Sequence, residues 1–343
     1  MPNTKRNTFL FAALFIGLLL LFFTNISLGS VTIPFKQVFK SLTGGEVSKQ
    51  AWEYIIINYR LPKAITAILT GMGLAVSGLL MQTLFRNPLA GPDVLGLSSG
   101  ASLGVAFVIL GAGFLPAFLS DVVLSSYRIV LASTLGSFVV LILVLLVSQR
   151  LRDTIAILIV GLMFGSFTSA FVGVLTYFST AEQLQKFTFW SLGSLGNLSW
   201  PSIGILSVCV GLGLLMSVFS IKPLNALLLG ENYARSMGMN FQKTRLIIIL
   251  ATSILAGSIT AFVGPIAFIG IAVPHIAKLL FQTSNHVILY WSTLLLGAAI
   301  MLFCDVISQM PGGDVTLPIN AITSIIGAPV VIWLLVRKRK MMN

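Results

Sequence analysis

Nine acidic residues, two histidines and two cysteines are the groups from which this 343-residue chain could most readily build a proton relay or a metal site. The acids are Glu46, Glu53, Asp93, Asp121, Asp153, Glu182, Glu231, Asp305 and Asp314, each in a polar stretch or at the edge of an apolar one. None sits mid-way along an apolar run. His275 and His286 could pair on a metal, but a satisfied or interfacial histidine is the simpler reading of each. Cys209 and Cys304 lie in or beside apolar runs and read as small buried thiols rather than as a disulfide. No Gly-x-x-x-x-Gly-Lys-Ser/Thr occurs, so the chain does not cradle a nucleotide in a P-loop. His-Glu-x-x-His, cysteine clusters and Gly-x-Ser-x-Gly are absent too, which speaks against a hydrolase or an intramembrane protease.

The elements that must carry these residues are set by composition. The chain is 57% hydrophobic and 9% charged, with a mean hydropathy of +1.00. Soluble domains carry about a quarter charged residues, so this is an integral membrane protein. Its formal charge of +12 is scattered between apolar runs rather than gathered in a patch, which excludes a nucleic-acid surface and fits positive-inside topology. A hydrocarbon core of about 30 Å needs roughly 20 apolar residues per helix. On that ruler the spans are 8–28, 62–83, 98–118, 128–148, 154–178, 200–219, 246–263, 267–282, 287–307 and 319–336. The first could pass for a signal peptide, but its apolar run continues to Leu28 and further spans follow, so it reads as an uncleaved helix. Gly264-Pro265 divides the seventh span from the eighth. With that division the count is even, and both Lys5-Arg6 and Arg337–Lys340 face the cytoplasm, as does most of the basic charge.

The stretch from Arg60 to Val105 organises the rest. It is a helix dotted with Gly71, Gly73, Ala75, Ser77 and Gly78, where backbones can approach closely in lipid. A Pro- and Gly-rich break at 86–92 follows, whose backbone groups must meet water or protein. The outer segment 29–61 is partly structured, and 179–199 forms a short helix whose Phe187, Phe189 and Trp190 suit an aromatic belt or a vestibule. The inner segment 220–245 reads as two short helices stopped by Gly230 and Gly238. Glu231 and Arg235 are spaced i,i+4, and Leu224, Leu227 and Leu228 give an apolar face. Such a pair lies on lipid or fits a groove on a partner.

Proton-coupled carriers and pumps bind their driving ion on intramembrane carboxylates, and cation channels ring the pore with them. Lacking both these acids and a nucleotide site, a transporter of this kind borrows energy from a partner chain. A secondary carrier holding sodium on backbone oxygens is the rival.

Five separated blocks carry a resemblance. They are Arg60-Leu61-Pro62-Lys63 with Ser77-Gly78, Gln82, Arg86-Asn87-Pro88-Leu89-Ala90, Pro92 and Leu95-Gly96; Phe189-Trp190 with Gly193-Ser194-Leu195; Leu229-Gly230-Glu231 with Ala234-Arg235 and Gly238; Phe262-Val263-Gly264-Pro265 with Phe268-Ile269-Gly270 and Pro274-His275; and Pro318 with Gly327-Ala328-Pro329 and Trp333. Together they resemble the signature of the FecCD permeases, membrane subunits of type II ABC importers for ferric siderophores, haem and cobalamin.

The resemblance implies an all-α fold of about ten transmembrane helices like that of the vitamin B12 permease, a single polytopic domain over 1–343, in the bacterial cytoplasmic membrane. It implies a second permease subunit, expected to be an identical chain on symmetry grounds, two ABC ATPase subunits and a substrate-binding protein. ATP and magnesium belong to the ATPase; this chain itself is expected to bind no cofactor or metal and to catalyse nothing. Leu229, Gly230, Glu231, Ala234, Arg235 and Gly238 fall at the family's ATPase-coupling positions. Arg60 and Lys63 fall at positions that dock the binding protein, with Gln309 where a third basic residue is usual. Thr154, after Arg150-Leu151-Arg152-Asp153, is nearest to the cytoplasmic gate. Phe189 to Leu195 looks more like the iron members than the cobalamin ones, which makes a ferric siderophore the expected cargo.

Overall fold

The computed structural model describes residues 4–111, 126–150, 154–309, 313 and 315–340. The elements in chain order are α1 (Thr4–Ser27), α2 (Phe35–Leu42), α3 (Gln50–Ile55), a π-helical turn (Ile56–Arg60), α4 (Leu61–Leu84), a 3-10 turn (Pro92–Leu95), α5 (Leu97–Ile109), α6 (Ser126–Arg150), α7 (Thr154–Tyr177), α8 (Ala181–Ser191), α9 (Trp200–Val218), α10 (Ile221–Leu227), α11 (Glu231–Ser236), α12 (Phe241–Val263), α13 (Ile269–Phe281), α14 (His286–Ser308) and α15 (Ile319–Lys340). No strand occurs among the described residues. Among the described residues, seven helices are long and apolar enough to cross a bilayer, and shorter apolar helices cover Leu97–Ile109, Ile269–Phe281 and Ile319–Trp333. Each expected span coincides with one of these, the distal part of 98–118 lying outside the described residues along with Asp121, Asp153 and Asp314.

Two compact units divide the chain, one of residues 1–79, 194–208 and 266–343, the other of 80–193 and 209–265. In the first, α4 meets α13 and α14 backbone to backbone. A Cβ added at Gly71 would overlap the carbonyl of Gly297, one at Gly297 would overlap that of Gly71, and one at Gly78 would overlap that of Gly270. Absent side chains are what bring these helices so close. In the second, Gly100 and Gly136 close α5 on α6 in the same way, and a Cβ at Gly161 of α7 would run into the carbonyl of Val94. Phe187 and Trp190 of α8 lean on a cluster of Val105, Ile109, Leu110 and Leu175, while Phe189 is exposed. A capping box from Thr180 and Gln183 starts α8.

Two breaks decide how the helices are placed. The helix from Gln50 to Leu84 runs unbroken for 35 residues. Its π-turn inserts one extra residue, rotating what precedes it by about 100° relative to an ideal helix. The second break separates α12 from α13. Gly264 takes φ +84° and Phe268, unusually for a residue with a side chain, φ +67°. Within the first unit, the amide of Ala267 donates to the side-chain carbonyl of Asn320 at 3.0 Å, so a freed backbone group is met by protein. The division at Gly264-Pro265 is therefore two helices, as expected.

Candidate functional site

Residues 220–238 form two short helices, α10 and α11, set by glycine stops. Gly230 at φ +109° and Gly238 at φ +84° hold backbone conformations that a side chain would strain, and both stand in open space. Ile221, Leu224 and Leu227 turn α10 inward. Leu228 does not join them, contrary to the sequence reading: it lies past the last turn and is exposed, as are Leu229, Tyr233 and Met237. Arg235 grips Glu231 at 2.6 Å and lies over the Phe241 ring at 5.5 Å, and Ala234 is fully buried. The result is a set of exposed apolar side chains beside an i,i+4 ion pair. Exposed apolar surface gathered in this way marks a place of contact.

The break after α4 adjoins this segment within the second unit. Gln82 is buried, and its carbonyl accepts from the amide of Asn87 at 3.1 Å. The side chain of Asn87 in turn accepts from the amide of Leu89, and Pro88 between them cannot continue the helix. Arg86 takes φ +49°, and its guanidinium reaches the last carbonyl of α10, that of Leu227, at 3.5 Å. Ser77 is buried and donates to Leu74 one turn back. Thr154, expected nearest to a cytoplasmic gate, begins α7; residues 151–153 of the link before it lie outside the described residues.

At the start of α4, in the first unit, the positions expected to dock a partner converge, and they are occupied from within. Arg60 is 9% exposed and donates to the carbonyls of Ile26, Ser27 and Val31. Its fork thus caps the end of α1 and binds the turn after it. Lys63 pairs with Asp305 of α14 at 3.0 Å, the lysine 19% and the aspartate 1% exposed. The other oxygen of Asp305 accepts from the amides of Asn25, at 2.8 Å, and Gln309, at 3.0 Å. One buried carboxylate therefore ties together the ends of α1, α4 and α14. Neither cation stands free in this conformation, and Gln309 is a buried donor to Asp305. Asn25 and Asp305 had no assigned role at the level of sequence. The available signal was a carboxylate inside the last turn of an apolar helix, where an isolated charge is costly and so carries a partner.

Residues 17–337 match the model of the FecCD transport family. The hemin transport system permease protein HmuU of Yersinia pestis is 33% identical over 95% of this chain and 96% of its own. The vitamin B12 import system permease protein BtuC of Klebsiella pneumoniae is 34% identical, covering 86% of each. A solved structure described as an inward-facing metal-chelate type ABC transporter superposes with a TM-score of 0.83 at 27% identity, over 96% of this chain and 99% of that one. The glycine-stopped segment 220–238, the broken helix at 264–268 and the close glycine seams belong to a multi-pass membrane protein of the FecCD transport family.

Proposed function

We propose that the chain is the membrane permease of an ABC importer that carries an iron chelate, preferentially a ferric siderophore, across the bacterial cytoplasmic membrane. The observation that supports this most is the exposure of Leu228 and Leu229 just before the Gly230 stop, and of Tyr233 and Met237 between it and Gly238, beside the Glu231–Arg235 pair. The segment is shaped to seat in a groove of a separate ATPase, which would bind ATP and magnesium and drive the transport cycle. Arg86, at the end of α4, would pass movement of α10 to the break at 86–92. Both termini would face the ATPase side, and a second copy of the chain would complete the pathway.

A substrate-binding protein would dock at the opposite side, where Arg60 and Lys63 shape the rim. Because Arg60 is filled by three carbonyls, its part is to hold that rim in place. Lys63, with one of its three donors on Asp305 and 19% exposed, would offer the remaining donors to an acidic partner. The names of the relatives keep haem and cobalamin as the second reading of cargo.

The test is uptake into proteoliposomes holding this chain with its ATPase and binding protein, offered ferric siderophore, haem and cobalamin in parallel. ATP-dependent uptake of the siderophore alone is the expected outcome. Uptake of haem or cobalamin instead corrects the cargo, and uptake without ATP or ATPase refutes the importer and favours an ion-coupled carrier.

A further inference from the structure

Within the second unit, α11 is joined to α12 by residues 237–240, and the join is a turn rather than a strut. The Gly238 amide donates to the carbonyl of Arg235 at 3.0 Å and the Met239 amide to that of Ala234 at 3.1 Å. These are the paired bonds of a Schellman stop around a left-handed glycine. Asn240 then caps α12, its side chain accepting from the amide of Lys243 at 3.0 Å. Each helix is thus closed on itself, and none of these bonds crosses from α11 to α12.

Side chains make the crossing. Phe241, the first residue of α12, is 6% exposed, and the guanidinium of Arg235 from α11 lies over its ring at 5.5 Å. Arg245, one turn further along α12 and equally buried, lies over the same ring at 5.9 Å. Both distances are within the reach at which a cation is drawn to an aromatic face. Two like charges on one ring repel, and Glu231 offsets this, binding Arg235 at 2.6 Å and attracting Arg245. Burial of the ring and of Arg245 keeps solvent from that side of the contact, where such attraction is stronger. Further along, α12 is packed in place. Its Leu255 fills the space left by Gly213 of α9, and its Gly257 faces Ser137 of α6. We propose that Phe241 is a positioning residue: held by Arg235 and Arg245, its ring carries movement of α11 into α12 during the transport cycle. This role presupposes the ATP-driven importer, and it adds a second route to the one that runs from α10 through Arg86.

Hydrogen exchange on the full-length chain in nanodiscs reads this link without ATPase, binding protein or cargo. Phe241→Leu keeps an apolar side chain at the site and removes the ring. It should speed exchange of the amides of 234–239 several-fold while those of α10 hold. Phe241→Tyr keeps the ring and should leave exchange at the parent level. Proteoliposomes with ATPase and binding protein then read the role. There Phe241→Leu should raise the ATP hydrolysed per cargo molecule imported several-fold, with the ATPase still co-purifying, and Phe241→Tyr should restore the parent ratio. Arg245→Lys keeps the charge but loses the planar group that lies on the ring. It stands in if Phe241→Leu does not fold, with the same changes expected in both assays. Unchanged exchange in either folded variant, or the same loss in Phe241→Tyr as in Phe241→Leu, overturns the link. Faster exchange with parent-like coupling overturns the transmitting role. A parent without ATP-driven uptake refutes the importer and the transmitting role with it, while exchange still decides whether the ring holds α11 to α12.

Discussion

Removing Lys63 should damage the protein more than removing the charge of Asp305, although the two form one pair. At 3.0 Å and an effective dielectric constant of about 20, their attraction is roughly 5 kcal/mol before desolvation is counted. Taking both charges out of water cancels most of that, so the pair adds little over an apolar replacement, but breaking it from one side costs about 3–5 kcal/mol. The two sides differ in exposure. Lys63→Met strands a carboxylate that is 1% exposed, with only the Asn25 and Gln309 amides on its second oxygen. Those two charge-assisted bonds soften the loss to about 3 kcal/mol, the lower end of that range. Asp305→Asn leaves an ammonium that is 19% exposed on a flexible stem, able to lean toward water, at a cost of about 1–2 kcal/mol. The double variant Lys63→Met/Asp305→Asn removes both charges while an oxygen at 305 still accepts from Asn25 and Gln309, so it should cost about 2 kcal/mol less than the two single losses added. Equilibrium unfolding in mixed detergent micelles measures all four proteins. If Lys63→Met proves no more costly than Asp305→Asn, or if the single losses add in the double, then the carboxylate is not buried and dependent on Lys63, and the reasoning fails.

Gly78→Leu drives a side chain into the carbonyl of Gly270 and should cost more than the 1–3 kcal/mol typical of overpacking, seen as loss of folded protein in detergent. Asn320→Leu strips the partner from the Ala267 amide and should lower stability by about 1–3 kcal/mol in the same micelle unfolding assay. Gly238→Trp forces a side chain into φ +84° at a local cost of about 1–2 kcal/mol, and should let the ATPase hydrolyse ATP without uptake; normally coupled uptake would argue against a coupling role for this turn. Leu229→Asp with Tyr233→Ala changes two exposed side chains, so stability should move by no more than about 0.5 kcal/mol per site while co-purification with the ATPase is lost.

How far the sequence could be read depended on the range of each signal. The stops at Gly230, Gly238 and Gly264 were legible because a helix end is written locally, in residues that alone tolerate the backbone required. The Glu231–Arg235 pair was legible for the same reason, being set by helix spacing. The cluster around Asp305 was not, because nothing in the sequence of α1 says that Asn25 will meet the last turn of a helix 280 residues later. Arg60 exposes a subtler limit. A cation at the mouth of a span reads as facing outward, but the three carbonyls that receive it, those of Ile26, Ser27 and Val31, come from about thirty residues earlier in the chain.

The glycine seam between α4 and α14 has a thermal consequence. Where Gly71 and Gly297 touch, no rotamer is fixed on association, so this contact escapes the side-chain entropy charged to most helix pairs. Its attraction comes from dispersion and from Cα–H groups against carbonyl oxygens, and an extra gap of about 0.5–1 Å forfeits a quarter to a half of the dispersion. On warming, seams built from interlocking side chains loosen gradually as rotamers become populated. This one has no such reserve. Its stiffness therefore rests on the backbones alone, and any side chain placed at Gly71 or Gly297 would force the two helices apart.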